Sequence, residues 1–366
     1  MKTAVVILNW NTRELLEKFL PGLIDSCRGL DARVIVADNA SSDGSAELVE
    51  SRFPEAGLIR LDANYGFTGG YNRALAQVEA DYYVLINSDV EVTPGWLEPL
   101  AGWMDAHSDC GACAPKLHSY TERGKFEYAG AAGGYIDRWG YTFCRGRVLK
   151  RLESDEGQYD TPADVLWATG ACLMVKSSVW KSLGGLDDRF FAHMEEIDLC
   201  WRMQLDGWKV QVVPASLVYH LGGATLPPQS PWKLQLNYRN NLLMLENNLA
   251  RTLLLDCGNA SRALRKSNRI IGTRLLLDWA SALVYALGWK WDSVKAVYRA
   301  HEEFRSLRHP VTRHALEQWR GSLPGRVSVA GIWKGSILLQ ALLRKDGIFA
   351  YLRRCKYSQS DSYRSL

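Results

Sequence analysis

Short apolar runs alternate with helical periods over the first hundred residues, and this alternation constrains the fold more than any other feature of the chain. Residues 3–8 form a β-branched run that reads as a buried strand, and residues 12–27 repeat at helical spacing. The pattern then recurs, with strands expected at 33–37, 57–61 and 82–86 and helices at 45–52 and 69–78. Runs that are apolar throughout, with a helix between each pair, call for an α/β fold with a mainly parallel sheet covered on both faces. Such sheets bind ligands beyond the carboxyl ends of their strands. Polar clusters fall at those ends here, at residues 9–11, 38–43 and 87–89.

Composition narrows the partners. A formal charge of +4 over 366 residues gives no footing for nucleic acid, but suits local anion binding or contact with an anionic membrane. The eight cysteines show no repeating spacing, and Cys110 with Cys113 is a lone CxxC that does not read as a zinc site. The opening apolar run passes straight into Asn9, as a strand would and a signal peptide would not. With no eighteen apolar residues uninterrupted, no spanning helix is expected, and the chain reads as cytoplasmic. Residues 103–162 read as loops and antiparallel strands, and residues 209–219 as a strand ending at His220. After Pro227, Pro228 and Pro231 the character turns helical, which divides the chain into an α/β domain at 1–230 and a helical region at 231–366.

Five clusters carry chemistry, each with a plainer alternative. Asp38 and Asn39 open a strand-end turn that can accept from a pyrimidine N–H or a ribose hydroxyl, or simply cap the next helix. The stretch from Asn64 through Gly69 and Gly70 to Asn72 opens a helix, where backbone N–H groups and the dipole favour phosphate; otherwise it is a glycine-rich connection. Asn87-Ser88-Asp89 ends a strand where a carboxylate can hold Mg²⁺ or Mn²⁺ against two phosphates, or merely terminate the strand. Glu195, Glu196 and Asp198 begin a helix after Phe190 and Phe191, placed for general-base work or as ordinary first-turn acids. His220, followed by two glycines, can reach the same metal as Asp89 or be structural.

Taken in order, the segments VVILNWN, VADNASSDGS, NYGFTGGYN, LINSDVEV, WATGACLMVKSSVW, GGLDDRFFAHMEEIDLCWR and VYHLGG resemble the family 2 glycosyltransferases, most closely the bacterial rhamnosyltransferase-like branch. The resemblance spans about the first 225 residues. It implies a GT-A fold, a nucleotide-diphosphate sugar donor, a glycan or lipid-linked acceptor, a divalent cation and inversion at the sugar carbon. On this resemblance Asp38 is the nucleobase or ribose contact, and Asn64, Gly69, Gly70 and Asn72 lie beside the nucleotide. Asp89 matches the last aspartate of the metal motif and His220 the histidine that completes it in some members. Gly170 and Ala171 match the stretch near sugar and acceptor. Glu196 matches the catalytic Asp, with Glu195 just before it.

Two positions depart from the family pattern. Asn87 stands where the metal motif begins with Asp, and Glu196 is one methylene longer than the usual base. The base therefore stays open among Glu195, Glu196 and Asp198. A nucleotidyltransferase is a competing reading, but no basic residue lies in the loop between Leu8 and Thr12 to meet a triphosphate. A catalytically inactive carbohydrate-binding relative is another. In the last third, residues 270–285 are apolar on most faces, interrupted by Arg274 and Asp278, and Trp279, Trp289 and Trp291 lie near Lys290, Lys295 and Arg299. That pattern suits a helix lying on the inner face of a membrane, or a packed subdomain or dimer contact. His301, His309 and His314 read as surface residues.

Overall fold

The computed structural model describes residues 1–222, 230–323, 325–344 and 347–355; Gly223, Pro227 and Pro228 lie outside the described residues. In chain order the first elements are β1 (Thr3–Asn9), α1 (Arg13–Ser26), β2 (Ala32–Asp38), α2 (Ser45–Arg52), β3 (Gly57–Arg60) and α3 (Gly66–Leu75). Next come β4 (Tyr82–Ile86), β5 (Val90–Val92), α4 (Leu97–Ala106), β6 (Cys110–Ser119), β7 (Gly134–Asp137), β8 (Thr142–Cys144), β9 (Arg147–Val148) and β10 (Arg151–Leu152). They are followed by β11 (Ala163–Asp164), β12 (Cys172–Lys176), α5 (Ser177–Ser182), α6 (Glu195–Leu205) and β13 (Lys209–His220). The C-terminal third holds α7 (Pro231–Cys257), α8 (Ala260–Leu287), α9 (Trp291–Leu307), α10 (Arg313–Gly321), β14 (Ile332–Trp333), α11 (Ile337–Leu343) and α12 (Ile348–Arg354).

The main sheet runs β11-β13-β6-β12-β4-β1-β2-β3, with β5 on β13. Strands β1 to β4 are parallel, as the alternation required. The sheet as a whole is mixed, because β12 enters antiparallel between β4 and β6. Alternate residues of one strand feed two cores. Ala4, Val6, Tyr83 and Leu85 pack with α3 and the C-terminal helices, while Val5, Ile7, Val84 and Ile86 pack against α1, α2 and α4. A second sheet, β10-β9-β8-β7-β14, takes its last strand from the C-terminal region.

Two readings of the helical region are corrected. His301 is buried, with Nε2 3.3 Å from Asp278, rather than at the surface. Helix α8 is long and apolar enough, by length and composition, to cross a bilayer. Arg274 and Asp278, which seemed to interrupt its apolar run, are both buried and paired at 2.7 Å. Arg274 also reaches Asn241 on α7 at 2.6 Å, so both charges point into the helical packing and leave the outer face apolar.

Asp198 is the joint between α6 and α7. It is fully buried, pairs with Arg202 at 2.6 Å, and accepts from Asn247 and Asn248 at 2.9 and 2.8 Å. Arg202 in turn donates to the carbonyls of Leu183 and Gly185. Removing one partner leaves the other charge and two amides buried without compensation. Asp198→Ala is expected to lower unfolding free energy by about 3–5 kcal/mol in urea titration.

Candidate active site

The carboxyl ends of β2, β1 and β4 are tied together by small polar side chains. Asn9 donates to Asp38 Oδ1 at 3.0 Å and to Ser41 at 3.1 Å. Thr12 bonds Asn9 at 2.5 Å and lies 2.9 Å from the Ser88 hydroxyl. Asp38 is buried, and its second oxygen accepts the Ser41 N–H at 3.0 Å. Asn9, Thr12 and Ser88 were not singled out as site residues in the sequence, though each sits in a strand-end cluster or one residue past it. Trp10 projects from the same edge, 41% exposed.

At the other end of this edge, Asp89 and His220 meet. His220 Nε2 lies 3.1 Å from Asp89 Oδ1 and 3.4 Å from the Asn87 amide nitrogen, and its Nδ1 lies 3.3 Å from Glu127 Oε2. Burial pulls the imidazole toward neutrality, but the hydrogen bonds and charges of Asp89 and Glu127 outweigh it and raise the pKa to about 10. For Asp89, burial pushes upward, and His220 more than offsets it, so the carboxyl stays below its ordinary range. Glu127, in a region that reads as loops and antiparallel strands, gave no signal in the sequence.

The acidic trio separates. Asp198, structural as described above, is removed as a candidate base. Glu195 is buried, and burial together with the charge of Glu196 raises its pKa well above the carboxylate range. Glu196 is only half-buried; burial raises its pKa to about 7, against backbone N–H groups including that of Gly170 that pull it down. Among the described residues its Oε2 has no hydrogen-bond partner. Gly170 leads into Ala171, whose carbonyl accepts the Asn87 N–H at 3.0 Å, and Asn87 touches His220. This backbone path links Glu196 to the Asp89–His220 pair.

The turn before Glu195 is strained, with φ of +63° at Phe191, +72° at His193 and +73° at Met194. Helix α7 holds it. The Asn240 amide faces the carbonyls of Phe190, Ala192 and His193 at 2.7–3.0 Å, and Arg239 donates to Phe190 at 2.8 Å. Sequence reading missed both residues; buried Arg and Asn on a mostly apolar helix were the available signal.

The expected phosphate cradle at α3 is corrected. Phe67 and Thr68 donate their N–H groups to the Phe191 carbonyl at 2.7 and 3.1 Å, so the helix end is already capped by the protein. Gly69 and Gly70 lie within the helix and serve close packing: a Cβ at Gly70 would sit 2.7 Å from Leu8. Asn39 bonds Asn64, Tyr65 and Gly66, which closes the turn, and Asn64 also accepts the Gly66 N–H. Asn72 binds both backbone groups of Leu186 and the Asp188 side chain, so it anchors that segment instead of facing a donor.

The order and directions of the strands in the main sheet are those of a GT-A fold. The fold is shared with a GalNAc-T7 structure solved with UDP, GalNAc and Mn²⁺ (TM-score 0.53, 16% identity, 67% of this chain and 48% of that one). It is also shared with the mannosyltransferase PcManGT of Pyrobaculum calidifontis, solved with GDP-Man and Mn²⁺ (TM-score 0.50, 13% identity, 88% and 79%). Residues 4–171 of this chain match the glycosyl transferase family 2 model. Among its relatives are the N-acetylglucosaminyl-diphospho-decaprenol L-rhamnosyltransferase of Mycobacterium tuberculosis, 28% identical over 59% of this chain and 75% of the relative. Rhamnosyltransferase WbbL of Escherichia coli is 24% identical over 59% and 82%.

The raised pKa of Glu196 has a cost for the fold. Its folded value of about 7 exceeds the ordinary 4.5, so its contribution to stability is full below pH 4.5 and is lost as pH rises through 7. Glu196→Gln is expected to gain on the order of 1–3 kcal/mol at pH 8. In calorimetry that gain should vanish near pH 4.5.

Proposed function

We propose that this glycosyltransferase is inverting, and that it moves a sugar from a nucleoside diphosphate donor to a hydroxyl of a glycan or lipid-linked acceptor in cell-surface polysaccharide synthesis. The observation that carries the reading is Glu196: a half-buried carboxylate with a free oxygen and a pKa near neutrality, connected through Gly170, Ala171 and Asn87 to the Asp89–His220 pair. Asp38 and the exposed ring of Trp10 mark the nucleoside end of the cleft, the ring as a stacking surface. The α/β segment 1–230 then holds the chemistry, and the helices beyond it hold the catalytic turn and meet the acceptor's surroundings. The match of residues 4–171 to the glycosyl transferase family 2 model favours transfer over the nucleotidyltransferase alternative.

Glu196 takes the proton of the acceptor hydroxyl as that oxygen bonds to the sugar carbon. The bond from carbon to the diphosphate oxygen breaks on the opposite side, which inverts the carbon. Holding acceptor and donor in line, and bringing Glu196 to titrate near neutral pH, are what the protein contributes. Asp89 and His220, whose oxygen and Nε2 face each other at 3.1 Å, would hold a Mg²⁺ or Mn²⁺ ion once the imidazole gives up its proton to make room for the cation. Among the described residues no three His, Cys, Asp or Glu side chains gather for a metal, so an ion held by these two would take its other ligands from donor or water. Bound there, such an ion neutralises charge on the departing diphosphate.

Glu196→Gln is expected to keep nucleotide binding and lose transfer by about 10²-fold or more in a radiolabelled-sugar assay. In the parent enzyme kcat/KM should rise with pH through about 7, as Glu196 ionises. A thermal-shift screen of nucleoside diphosphates and nucleotide sugars, with and without Mn²⁺, identifies the donor. Retained turnover in the Gln variant would move the base elsewhere.

We also infer a peripheral membrane contact. Leu276, Trp279, Leu283 and Leu287 recur every three or four residues on α8 and are all exposed. Trp289 is 81% exposed, with Trp291, Lys290, Lys295 and Arg299 beside it in sequence and also exposed. Aromatic rings with basic neighbours at the edge of an apolar stripe suit an anionic headgroup layer. Leu283→Glu with Leu287→Glu is expected to abolish co-sedimentation with phosphatidylglycerol vesicles while leaving nucleotide binding intact. Unchanged sedimentation would remove the membrane from the reading.

A further inference from the structure

Glu127 belongs to none of the motifs above, yet it is buried against the far side of His220. The segment bearing it joins β6 to β7, and its backbone N–H donates to the Leu117 carbonyl at 3.0 Å. Its Oε2 accepts the Ala129 N–H and lies 3.3 Å from His220 Nδ1. Its Oε1 faces Gly222, where a Cβ would stand 3.2 Å away, on a backbone of φ +72° that suits glycine. Gly222 donates its own N–H to Asp89 Oδ2 at 3.1 Å, and Asp89 Oδ1 faces His220 Nε2 at 3.1 Å. Asp89 is thus tied to Gly222 and faces one His220 nitrogen, while Glu127 stands at ion-pair distance from the other.

A histidine that is to coordinate a cation must hold one nitrogen toward the other ligands, and a carboxylate on the opposite nitrogen is the usual means of fixing the ring. We propose that Glu127 is the positioning residue of the cation seat: it fixes the His220 ring so that Nε2 stays beside Asp89, giving the divalent ion a preformed two-point site. The inference rests on the reading of Asp89 and His220 as metal ligands. It differs from a purely structural role for Glu127 because its effect must pass through His220.

The test is a double-mutant cycle read as Mn²⁺ affinity. Mn²⁺ is titrated by electron paramagnetic resonance into the full chain with a saturating nucleoside diphosphate, chosen by the thermal-shift screen. Glu127→Ala is expected to weaken Mn²⁺ binding about 10–100-fold, with a smaller loss in Glu127→Gln, whose amide oxygen can still accept. In a His220→Ala background Glu127→Ala should add less than about twofold. Nucleoside diphosphate binding in EDTA reports that each variant is folded, and if the Ala variant fails this control, the same cycle with Glu127→Gln decides. Parent-like Mn²⁺ affinity in both Glu127 variants, or an equal loss with and without His220, overturns the proposal. A parent chain whose Mn²⁺ binding does not respond to His220→Ala overturns the metal reading itself.

Discussion

The grip of one buried amide on a strained turn is what the site depends on. Asn240 lies on a helix that starts beyond residue 230, yet it satisfies carbonyls at Phe190, Ala192 and His193. Three left-handed residues in this turn each cost of order 1–3 kcal/mol and persist only where their surroundings overdetermine them. The same turn offers the Phe191 carbonyl to the head of α3. One contact thus sets where Glu195 and Glu196 emerge and closes the end of a helix across the cleft.

That arrangement explains why two adjacent glutamates behave differently. Residues next to one another at a helix start point about 100° apart, so one can be sealed in while the other keeps an edge toward the cleft. Glu195 is sealed, with its pKa pushed upward, whereas Glu196 retains some exposure. Three residues later the helix has turned to its neighbour, and Asp198 is spent on Arg202, Asn247 and Asn248. Acidic residues that look equivalent in one dimension are sorted by the helical turn into a structural tie, a buried acid and a titrating group.

How much of this could be read beforehand follows the range of the interactions. Strands β1 to β4 and their intervening helices were legible, because apolar runs and helical periods are local. Asp38, Asp89 and His220 were legible as strand-end residues. The antiparallel entry of β12 was not, since an apolar run carries no direction. Asn72 and Gly70 misled for a related reason: a polar residue or glycine near a helix start looks the same whether it meets a ligand or another segment. Asn72 meets Leu186, and Gly70 meets Leu8. Glu127, Arg239 and Asn240 act across long sequence separations, where no spacing rule reaches. The charges of Arg274 and Asp278 hid an apolar outer face because pairing cannot be seen in a hydropathy pattern.

The small sheet has a consequence for how the chain is made. Its edge strand β14 lies against β7, and the Ile337 N–H bonds Asp137 from 200 residues away. During synthesis β7 leaves the ribosome long before its partner exists, with one row of backbone groups unpaired and open to strangers. Emergence of β14 is therefore what pairs this edge. Until β14 arrives, that row of β7 is an edge on which another strand could pair.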